Sequence, residues 1–342
     1  MSEQDANDKS EHTSATIYEV ARRAGVGIAT VSRALRGTGS VRPATRERIL
    51  EAARELNFIP SRLGVSLAEG RHAANGIVFP SLTGPYFGEV LLGYEEAAAE
   101  LKRSVIVVAA DGLDSAQDHI RDLAGRVDGM VIYGSTAESE VVAELIAERK
   151  PTVLLSPRVL VDGPDVITAE NTRSAGELAE HLLAHGHRTF TFLGGPTGGR
   201  DIDERWAALV DTLAKAGAAA PRPVPLSGYG RAEVYAAARA VLAQDPPDVL
   251  VCSHDEVALA ALRVARELGL RVPDDIAVTG WDDVMAAEHS WPPLTTVRQP
   301  MRRMGEMAAR ALDELITGTR TGPLRQVLPT EVIIRESCAH HP

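Results

Sequence analysis

Two short amphipathic segments, separated by glycines, lie near the start of the chain and constrain its fold more than any other feature. In residues 16–24 the apolar side chains recur every three or four positions, which is the spacing of an α-helix with one buried face. Gly25 and Gly27 interrupt this pattern, and Gly25 can take the left-handed conformation that ends a helix. A second apolar face follows in residues 28–36. The pattern predicts a helix-turn-helix, although an ordinary helical hairpin would have the same apolar spacing.

The outer face of the second predicted helix carries the side chains that would meet base edges if this helix lies in the major groove of DNA. These side chains are Ile28, Ala29, Thr30, Ser32, Arg33 and Arg36. A third predicted helix spans residues 43–56 and has Pro43 in its first turn, where the missing N–H costs nothing. Its apolar residues would complete a small three-helix core.

The residues of this region resemble the LacI/GalR family of transcriptional regulators. The family opens with T-I-x-D-V-A-x-x-A-G-V-S-x-x-T-V-S-R-x-L-N and continues with V-S-x-x-T-R-x-R-V-x-x-A-A-x-x-L-x-Y-x-P-N-x-x-A-R-S-L. The matching positions here are Thr16, Val20, Ala21, Ala24, Gly25, Val26, Thr30, Val31, Ser32, Arg33, Leu35, Thr45, Arg46, Arg48, Ala53, Leu56, Pro60, Ser66 and Leu67. The resemblance extends to residues 281–283 and 292–300, so that it covers nearly the whole chain.

This resemblance implies a small all-α helix-turn-helix domain followed by a two-lobed α/β core similar to the periplasmic binding proteins, with a ligand held between the lobes. It also implies a linker helix in the minor groove of DNA, in which Leu67 would wedge between base pairs. The residues that it adds to the predicted DNA contacts are Thr16, Ser61, Arg62 and Leu67. Gly64 stands where the family has Ala and would weaken this helix by about 1 kcal/mol, so we expect the linker to be disordered without DNA.

The net charge of −11 is divided unevenly along the chain. Residues 16–71 hold ten arginines against five glutamates, and this basic balance suits a surface that contacts phosphates. Residues 1–15 and 72–342 are acidic. An accidental distribution is the alternative, because five net charges are a small number.

We predict four segments from these observations. A disordered tail would span residues 1–15, the helix-turn-helix domain residues 16–59, the linker residues 60–71 and the ligand-binding core residues 72–342.

The cysteines and the hydropathy of the sequence limit the cellular compartment that we expect and the kinds of site that the chain can form. The two cysteines, Cys252 and Cys338, are far apart and lack the spacing of a metal site, so we expect neither a disulfide framework nor a metal. Residues 1–15 are polar and acidic, without the apolar stretch of a signal peptide, and no apolar run has the length of a membrane span. We therefore expect a cytoplasmic protein with no membrane association and no cofactor.

Beyond residue 71, short apolar runs alternate with amphipathic segments, as is typical of buried parallel strands joined by crossover helices. The predicted strands are residues 76–79, 104–109, 129–133, 152–155, 190–193, 249–252 and 276–279. Two such series predict two doubly wound parallel sheets. We place lobe 1 at about residues 72–168 plus 298–327 and lobe 2 at about residues 169–297 plus 328–342.

Ligands of doubly wound sheets bind beyond the carboxyl ends of the strands, and several aromatic residues are predicted to lie there. Tyr86, Tyr133, Tyr229 and Trp281 fall on or near predicted strand ends or loops. Their faces could stack on a sugar or base ring. Ordinary core packing is the alternative for each of them.

The resemblance adds three polar residues to the predicted effector site. Asp282 matches the family acid that hydrogen-bonds ligand hydroxyls, and Arg205 looks like the arginine that faces the pocket. His254 stands where the family commonly has Asn. Helix N-capping is the alternative for Asp282 and its neighbour Asp283, and we expect it to describe one of them.

Two further departures from the family pattern indicate an unusual pocket. Residues 84–86 are Gly-Pro-Tyr in place of the common Asn-Pro-Phe, and residues 156–157 are Ser-Pro in place of Asp-Arg.

The sequence argues against two other classes of protein. The Ser-His-Asp run at residues 253–255 is contiguous, whereas a catalytic triad converges from separate elements, and the glycine-rich residues 194–199 lack the lysine of a phosphate-binding loop. An enzyme is therefore disfavoured. A free solute-binding protein would share the two-lobed core but would need a signal peptide and no helix-turn-helix.

We therefore expect a homodimeric regulator that binds double-stranded operator DNA, a repressor relieved or modulated by a small sugar. A purine or another ring metabolite, acting as effector or corepressor, is the second possibility. No leucine heptad follows the last predicted strand, which favours a dimer and a palindromic operator.

Overall fold

The computed structural model describes residues 15–37, 39–58, 72–110, 115–134, 136–159, 162–196, 199–226 and 228–339. The chain divides into two compact units at the bond between His72 and Ala73. The predicted tail lies almost entirely outside the described residues, and so do Ser61, Arg62 and Leu67 of the predicted linker.

The first unit is a bundle of three helices. They are α1 (Ile17–Ala24), α2 (Ile28–Arg36) and α3 (Pro43–Glu55). Thr16 caps α1 through a reciprocal pair of hydrogen bonds with Glu19, and Gly25 ends this helix in the left-handed conformation, with φ of 65°. Val20, Val31 and Ile49 are fully buried, one from each helix, so the apolar spacing that predicted the helices also forms their core.

The second unit alternates strands with helices. Its helices are α4 (Pro85–Glu100), α5 (Ala116–Ala124), α6 (Ser139–Ala147), α7 (Thr172–Ala184), α8 (Arg200–Lys215), α9 (Arg231–Gln244), α10 (Asp255–Glu267), α11 (Met285–Glu288) and α12 (Met301–Thr317). Its strands are β1 (Ala74–Phe79), β2 (Ser104–Ala109), β3 (Gly129–Tyr133), β4 (Thr152–Leu155), β5 (Asp165–Ala169), β6 (Phe190–Leu193), β7 (Arg222–Val224), β8 (Val249–Cys252), β9 (Ala277–Thr279), β10 (Thr296–Arg298), β11 (Arg325–Leu328) and β12 (Glu331–Ile333).

Two parallel sheets define the two lobes of this unit. Lobe 1 contains a six-stranded sheet in the order β11-β5-β4-β3-β1-β2, and lobe 2 a four-stranded sheet in the order β7-β6-β8-β9. Each sheet has a buried apolar cluster on both faces, which is why the central strands are continuous apolar runs. The predicted fold class, a helix-turn-helix followed by a two-lobed α/β core, is confirmed.

The chain passes between the lobes at three places in the described residues. These crossings are residues 170–171 between β5 and α7, residues 299–300 between β10 and α12, and residues 329–330 between β11 and β12. The antiparallel pair β10–β12 lies beside β9 of lobe 2, where Thr279 bridges to Thr295. The crossings place the carboxyl ends of both sheets on either side of one cleft.

Candidate functional site

Helix α2 carries most of the side chains that are predicted to read DNA. Ile28 is 40% exposed although it is apolar, Ala29 is exposed, and Thr30 is half-buried. The Arg33 side chain is exposed, and its Nε donates to the carbonyl oxygen of Ala29 at 3.2 Å. An exposed isoleucine at the first position of α2, with an exposed arginine five residues further along the helix, is suited to contact with base edges.

The other predicted DNA contacts of the first unit flank this surface. Thr16 is exposed at the N-terminus of α1, where its hydroxyl donates to the Glu19 carboxylate at 3.0 Å. Ser32 is half-buried on α2, and Arg36 is the last residue of this helix.

Three aromatic side chains of lobe 1 pack edge to face at the carboxyl ends of β1 and β3. The ring centroids of Tyr86 and Tyr133 are 5.9 Å apart, and Phe87 lies 5.2 Å from Tyr133. The Tyr133 hydroxyl donates to the Tyr86 hydroxyl at 3.0 Å, which in turn donates to the Met304 sulfur at 3.8 Å. Burial raises the pKa of both tyrosines, so both hydroxyls stay protonated and can donate hydrogen bonds.

Arg205 of α8 is the buried cation on the lobe 2 side of the cleft. Its Nε donates to Asn171 Oδ1 and its Nη1 donates to the carbonyl oxygen of Ser253, both at 2.9 Å. The guanidinium lies 4.3 Å from the centroid of the Trp281 ring, which is itself buried in the apolar core of lobe 2. The guanidinium of Arg205 therefore makes a cation–π contact with the Trp281 ring and covers one face of this ring.

Asn171 is a site residue that the sequence analysis missed. It lies in the first crossing, and its amide nitrogen donates to Glu204 at 3.0 Å and to Asp201 at 3.3 Å. Its side chain thereby orients Arg205 toward the cleft. The rule that functional residues follow strand ends would have found Asn171 if β5 had been predicted.

Asp282 is completely buried and lies three residues beyond the end of β9. Its Oδ1 accepts a hydrogen bond of 2.6 Å from Gln299 Nε2, and its Oδ2 has no hydrogen-bond partner among the described residues. Burial, together with the nearby Asp255 carboxylate, raises the pKa of Asp282 well above its usual range. Gln299 was also missed, although it lies within the segment that carried the resemblance.

The expectation that Asp282 or Asp283 is a helix N-cap is wrong. The N-cap residue of α11 is Val284, and its amide donates to Asp255 Oδ2 at 2.9 Å. Asp283 instead pairs with Arg298 and Arg335, at 2.7 Å each. Both aspartates have positive φ, 125° for Asp282 and 59° for Asp283, so the backbone here turns sharply before any helix can begin.

Tyr229 and His254 form a second aromatic pair at the lobe 2 side. Their rings meet edge to face at 4.9 Å, and the Tyr229 hydroxyl donates to the carbonyl oxygen of Gly194 at 3.1 Å. Burial, and then the charge of Arg205, lower the pKa of His254 to about 3, so its imidazole is neutral at physiological pH.

The Ser-His-Asp run does not form a relay of the kind that hydrolases use. His254 Nδ1 lies 3.1 Å from Ser253 Oγ, but the Asp255 carboxylate points elsewhere, accepting from the Val284 amide and from the Thr296 hydroxyl at 2.7 Å. A histidine of such low pKa is also a poor general base.

The structure brings the two sides of the cleft together. Burial is the main cause of the raised pKa of Tyr86 and Tyr133 of lobe 1, and the charges of Asp201 and Asp282 of lobe 2 raise it further. A Cβ built on Gly84 of lobe 1 would lie 2.6 Å from Glu256 Oε1 of lobe 2. These contacts place Tyr86 and Tyr133 of lobe 1 near Asp201 and Asp282 of lobe 2, whereas Trp281 is buried in the apolar core of lobe 2.

Within the described parts of the chain, the structure contains neither a metal-ligating cluster nor a membrane-spanning helix. The residues with assigned positions include no group of three or more His, Cys, Asp or Glu side chains that could hold a metal ion. In the same ranges, every helix is too short or too polar to cross a bilayer.

A basic three-helix unit joined to a two-lobed α/β core with a polar and aromatic cleft defines the class of bacterial regulators that combine DNA binding with a ligand sensor. Two family models match the chain, "Bacterial regulatory proteins, lacI family" over residues 16–61 and "Periplasmic binding protein-like domain" over residues 179–338.

Relatives and solved structures match over almost the whole length. The transcriptional repressor PurR of Photobacterium profundum is 31% identical over 333 residues, covering 94% of this chain and 98% of the relative. The crystal structure of the lac repressor dimer bound to operator and the anti-inducer ONPF superposes with a TM-score of 0.82 at 27% identity, covering 95% and 99% of the two chains. A complex of the transcriptional regulator CelR with cellobiose has a TM-score of 0.69 at 30% identity, covering 94% and 99%.

The chain belongs to the LacI family of bacterial regulatory proteins. It is a DNA-binding transcriptional regulator, and the family assignment made from its sequence is confirmed.

Proposed function

We propose that this protein is a repressor that binds operator DNA as a homodimer, and that a small sugar bound between the two lobes controls its operator affinity. The observation that carries the effector part is the Asp282 carboxyl group. It is fully buried at the cleft and one of its oxygens has no partner among the described residues. A buried polar atom without a partner costs about 1–3 kcal/mol, which a ligand hydroxyl would recover.

The surroundings of Asp282 favour a hydroxylated ring. Arg205 is held by Asn171 and Ser253 on one edge, so its position is fixed before a ligand arrives. Tyr86 and Tyr133 offer protonated hydroxyls, and the exposed ring of Tyr229 offers a face for stacking. Sugars combine hydroxyls with an apolar ring face, which is the combination that such a cleft recognises.

The solved complex of CelR with cellobiose supports a sugar, because it superposes on nearly the whole chain. A purine or another planar metabolite is the second candidate. It is favoured by the edge-to-face pair of Tyr229 with a neutral His254, since an uncharged imidazole can hydrogen-bond a heterocycle without repelling it.

A thermal-shift screen of the purified full-length protein tests the effector proposal. The panel contains monosaccharides, disaccharides including cellobiose, and nucleobases. A true effector at 100 times its dissociation constant should stabilise the folded protein by about 2.7 kcal/mol. Stabilisation by sugars alone supports the first candidate, and stabilisation by nucleobases alone would replace it with the second. No response across the panel would contradict both.

We assign DNA contacts to the N-cap of α1, to the outer face of α2 and to the linker. The assigned residues are Thr16, Ile28, Ala29, Thr30, Ser32, Arg33, Arg36, Ser61, Arg62 and Leu67. The exposure of Ile28 and Arg33 on α2 supports the part of this assignment that lies in the first unit. Selection of binding sites from random DNA, followed by footprinting, should give a palindrome with half-sites about one helical turn apart. A single unpaired half-site would contradict the dimer.

Exposed apolar groups of the core support the homodimer. Strand β2 is an edge of the six-stranded sheet and leaves Val107 exposed. In lobe 2, Met285 is 78% exposed and Trp291 is 87% exposed. Large exposed apolar side chains mark a surface that another chain covers when they form a contiguous patch, and tryptophan is frequent among the residues that dominate such interfaces.

A further inference from the structure

Helix α12 spans lobe 1 from the effector cleft to the point where the chain enters the core. It has 17 residues and is therefore about 25 Å long. It begins at Met301, two residues after Gln299, at the carboxyl edge of the sheet. Its last turns lie near Arg103 and Asp128, which precede β2 and β3 at the amino edge. Ala73, the first residue of the core unit, lies at that same amino edge.

The cleft end of α12 is attached to the proposed effector site through Gln299. The Gln299 side chain donates to Asp282 Oδ1 at 2.6 Å, and its backbone amide donates to the Asp282 carbonyl oxygen at 3.2 Å. Asp282 donates its own amide to the carbonyl oxygen of Val297 at 2.8 Å. The acid proposed to bind the effector and the residues that lead into α12 are therefore held by three hydrogen bonds.

The opposite end of α12 is attached to the entry of the chain through three charged side chains. Asp313 accepts from Arg103 Nε at 3.0 Å, and Arg103 Nη1 pairs with Asp128 Oδ2 at 2.9 Å. The same Asp128 oxygen accepts from the backbone amide of Ala73 at 2.9 Å. These charges are largely shielded from solvent, so separating any one from its partners is costly and the group is expected to move together.

Between its ends, α12 is fixed to α4 by backbone contact. A Cβ built on Gly305 would lie 1.9 Å from the carbonyl oxygen of Val90, and one built on Gly93 would lie 2.0 Å from the carbonyl oxygen of Arg302. Tyr86 of α4, a residue of the proposed effector site, bonds Met304 of α12. The two helices interlock so closely that a displacement of one must displace the other.

We propose that α12 couples the effector cleft to the linker, with Gln299 as the positioning residue at the cleft end and Arg103, Asp128 and Asp313 as the positioning residues at the entry end. A ligand that binds Asp282 would change the hydrogen bond between this carboxyl and Gln299 and so displace the start of α12. The interlocked helices would transmit this displacement to the hydrogen bond of the Ala73 amide. This coupling would regulate the proposed effector site, and in that respect it rests on the proposed function.

Hydrogen exchange of the full-length protein, followed by mass spectrometry, tests the coupling without any ligand. The readout is the exchange of the amides at Ala73, Ser104 and Asp128, which all make hydrogen bonds at the entry of the core. Gln299→Leu, at the far end of α12, should raise their exchange rate at least threefold. Arg303→Ala should leave the rate unchanged, because Arg303 is exposed on the first turn of α12 and pairs with Glu306 of the same helix.

A second pair of variants separates coupling from a general loss of stability. Asp313→Ala should raise exchange at the three amides by itself, whereas Glu314→Ala at the neighbouring position should not. Once Asp313 is removed, adding Gln299→Leu should have no further effect on these amides. The buried Val142→Ala on α6 provides a variant that loses stability on the opposite face of the sheet, and it should not speed exchange at the entry selectively.

Unchanged exchange of the three entry amides in Gln299→Leu would overturn the coupling. It would also be overturned if Gln299→Leu and Asp313→Ala acted independently, so that their effects on exchange multiplied in the double variant. Either result would leave the effector screen and the DNA selection untouched. Conversely, a failed effector screen would not alter the exchange pattern, so the two proposals fail separately.

Discussion

His254 is held in its neutral form by its surroundings, which makes it a probe of the cleft. Burial and the charge of Arg205 lower its pKa from the usual 6.5 to about 3. Between these values the unfolded chain binds a proton that the folded protein does not bind. Stability that depends on neutral His254 is therefore complete above pH 6.5 and is lost as the pH falls toward 3.

Replacing His254 by asparagine should remove this dependence. Between pH 7 and pH 5 the wild-type protein should lose about 2 kcal/mol more of its unfolding free energy than His254→Asn, since each pH unit below the usual pKa costs about 1.4 kcal/mol. Burial raises the pKa of Asp255 to about 6, which acts in the opposite direction, but that carboxyl is present in both proteins. Urea denaturation at the two pH values measures the difference, and parallel losses would show that His254 is not desolvated.

Arg33 is the residue of α2 best suited to read a base directly, because its guanidinium can bind guanine O6 and N7 together. Arg33→Ala should weaken binding to the selected operator by about 1–3 kcal/mol and relax the preference at one base pair. Competition gel shifts at fixed salt measure both effects. Arg54→Ala removes another exposed positive charge, from α3, and should keep the base preference. An equal loss for Arg33→Ala on operator and on random DNA would make Arg33 a phosphate contact.

At the scale of elements, the sequence predicted the strands that are continuous apolar runs and missed strands whose apolar run is interrupted by a proline or begins with a charged residue. The predicted strands at residues 104–109, 129–133, 152–155, 190–193 and 249–252 have the bounds that the structure shows. Strand β7 was missed because it is a three-residue edge strand with Pro223 at its centre. Strand β5 was missed because it begins with Asp165, a buried acid whose charge is offset by Arg320 from a distant part of the chain.

The crossing of α4 and α12 gives a prediction with an internal control. Gly305→Ala should destabilise the core by about 3 kcal/mol or more, because its Cβ would overlap the backbone of Val90 and force the helices apart. In contrast, a Cβ built on Gly88 of α4 meets no described atom within 4 Å apart from its chain neighbours and the backbone of its own helix. Gly88→Ala should therefore stabilise the protein by about 0.5–1 kcal/mol. Chemical denaturation measures both, and similar effects of the two substitutions would contradict the tight crossing.

At the scale of the whole molecule, the candidate site was predictable where it follows a strand and not where it depends on a crossing between lobes. Arg205 and Asp282 were found because they match a family pattern near strand ends. Asn171 and Gln299 lie in the crossings, and only the folded chain shows that they hold these two residues. Trp281 was predicted as a stacking platform, but its burial beneath Arg205 could not be read from its position in the sequence.

The proposed homodimer depends on the outer surface of the whole molecule. Trp291→Ser removes the most exposed of the large apolar side chains on the described surface without disturbing the core. It should weaken dimerisation by at least about 2 kcal/mol, or roughly 30-fold, as expected for a tryptophan at the centre of an interface. Val159→Ser, at another exposed apolar residue, should leave the association unchanged. Sedimentation velocity over a concentration series measures the dimer, and an unchanged dissociation constant for Trp291→Ser would place the interface elsewhere.

The central claim is that the cleft controls the DNA-binding unit through a ligand that engages Asp282. Asp282→Asn should abolish this control, because an amide can accept only through its carbonyl oxygen and presents N–H donors to ligand hydroxyls that require an acceptor. The substitution leaves α2 and the linker unchanged in sequence, so operator affinity without effector should stay within about twofold of the wild type.

The most direct measurement is the operator dissociation constant of wild-type and Asp282→Asn proteins, with and without the compound that the thermal-shift screen identifies. For wild type, we predict that a saturating concentration of this compound changes the constant by a factor of about 5–150, which corresponds to a coupling free energy of about 1–3 kcal/mol. For Asp282→Asn, the constant should be the same with and without the compound. A variant that responds to the compound as strongly as wild type would contradict the account.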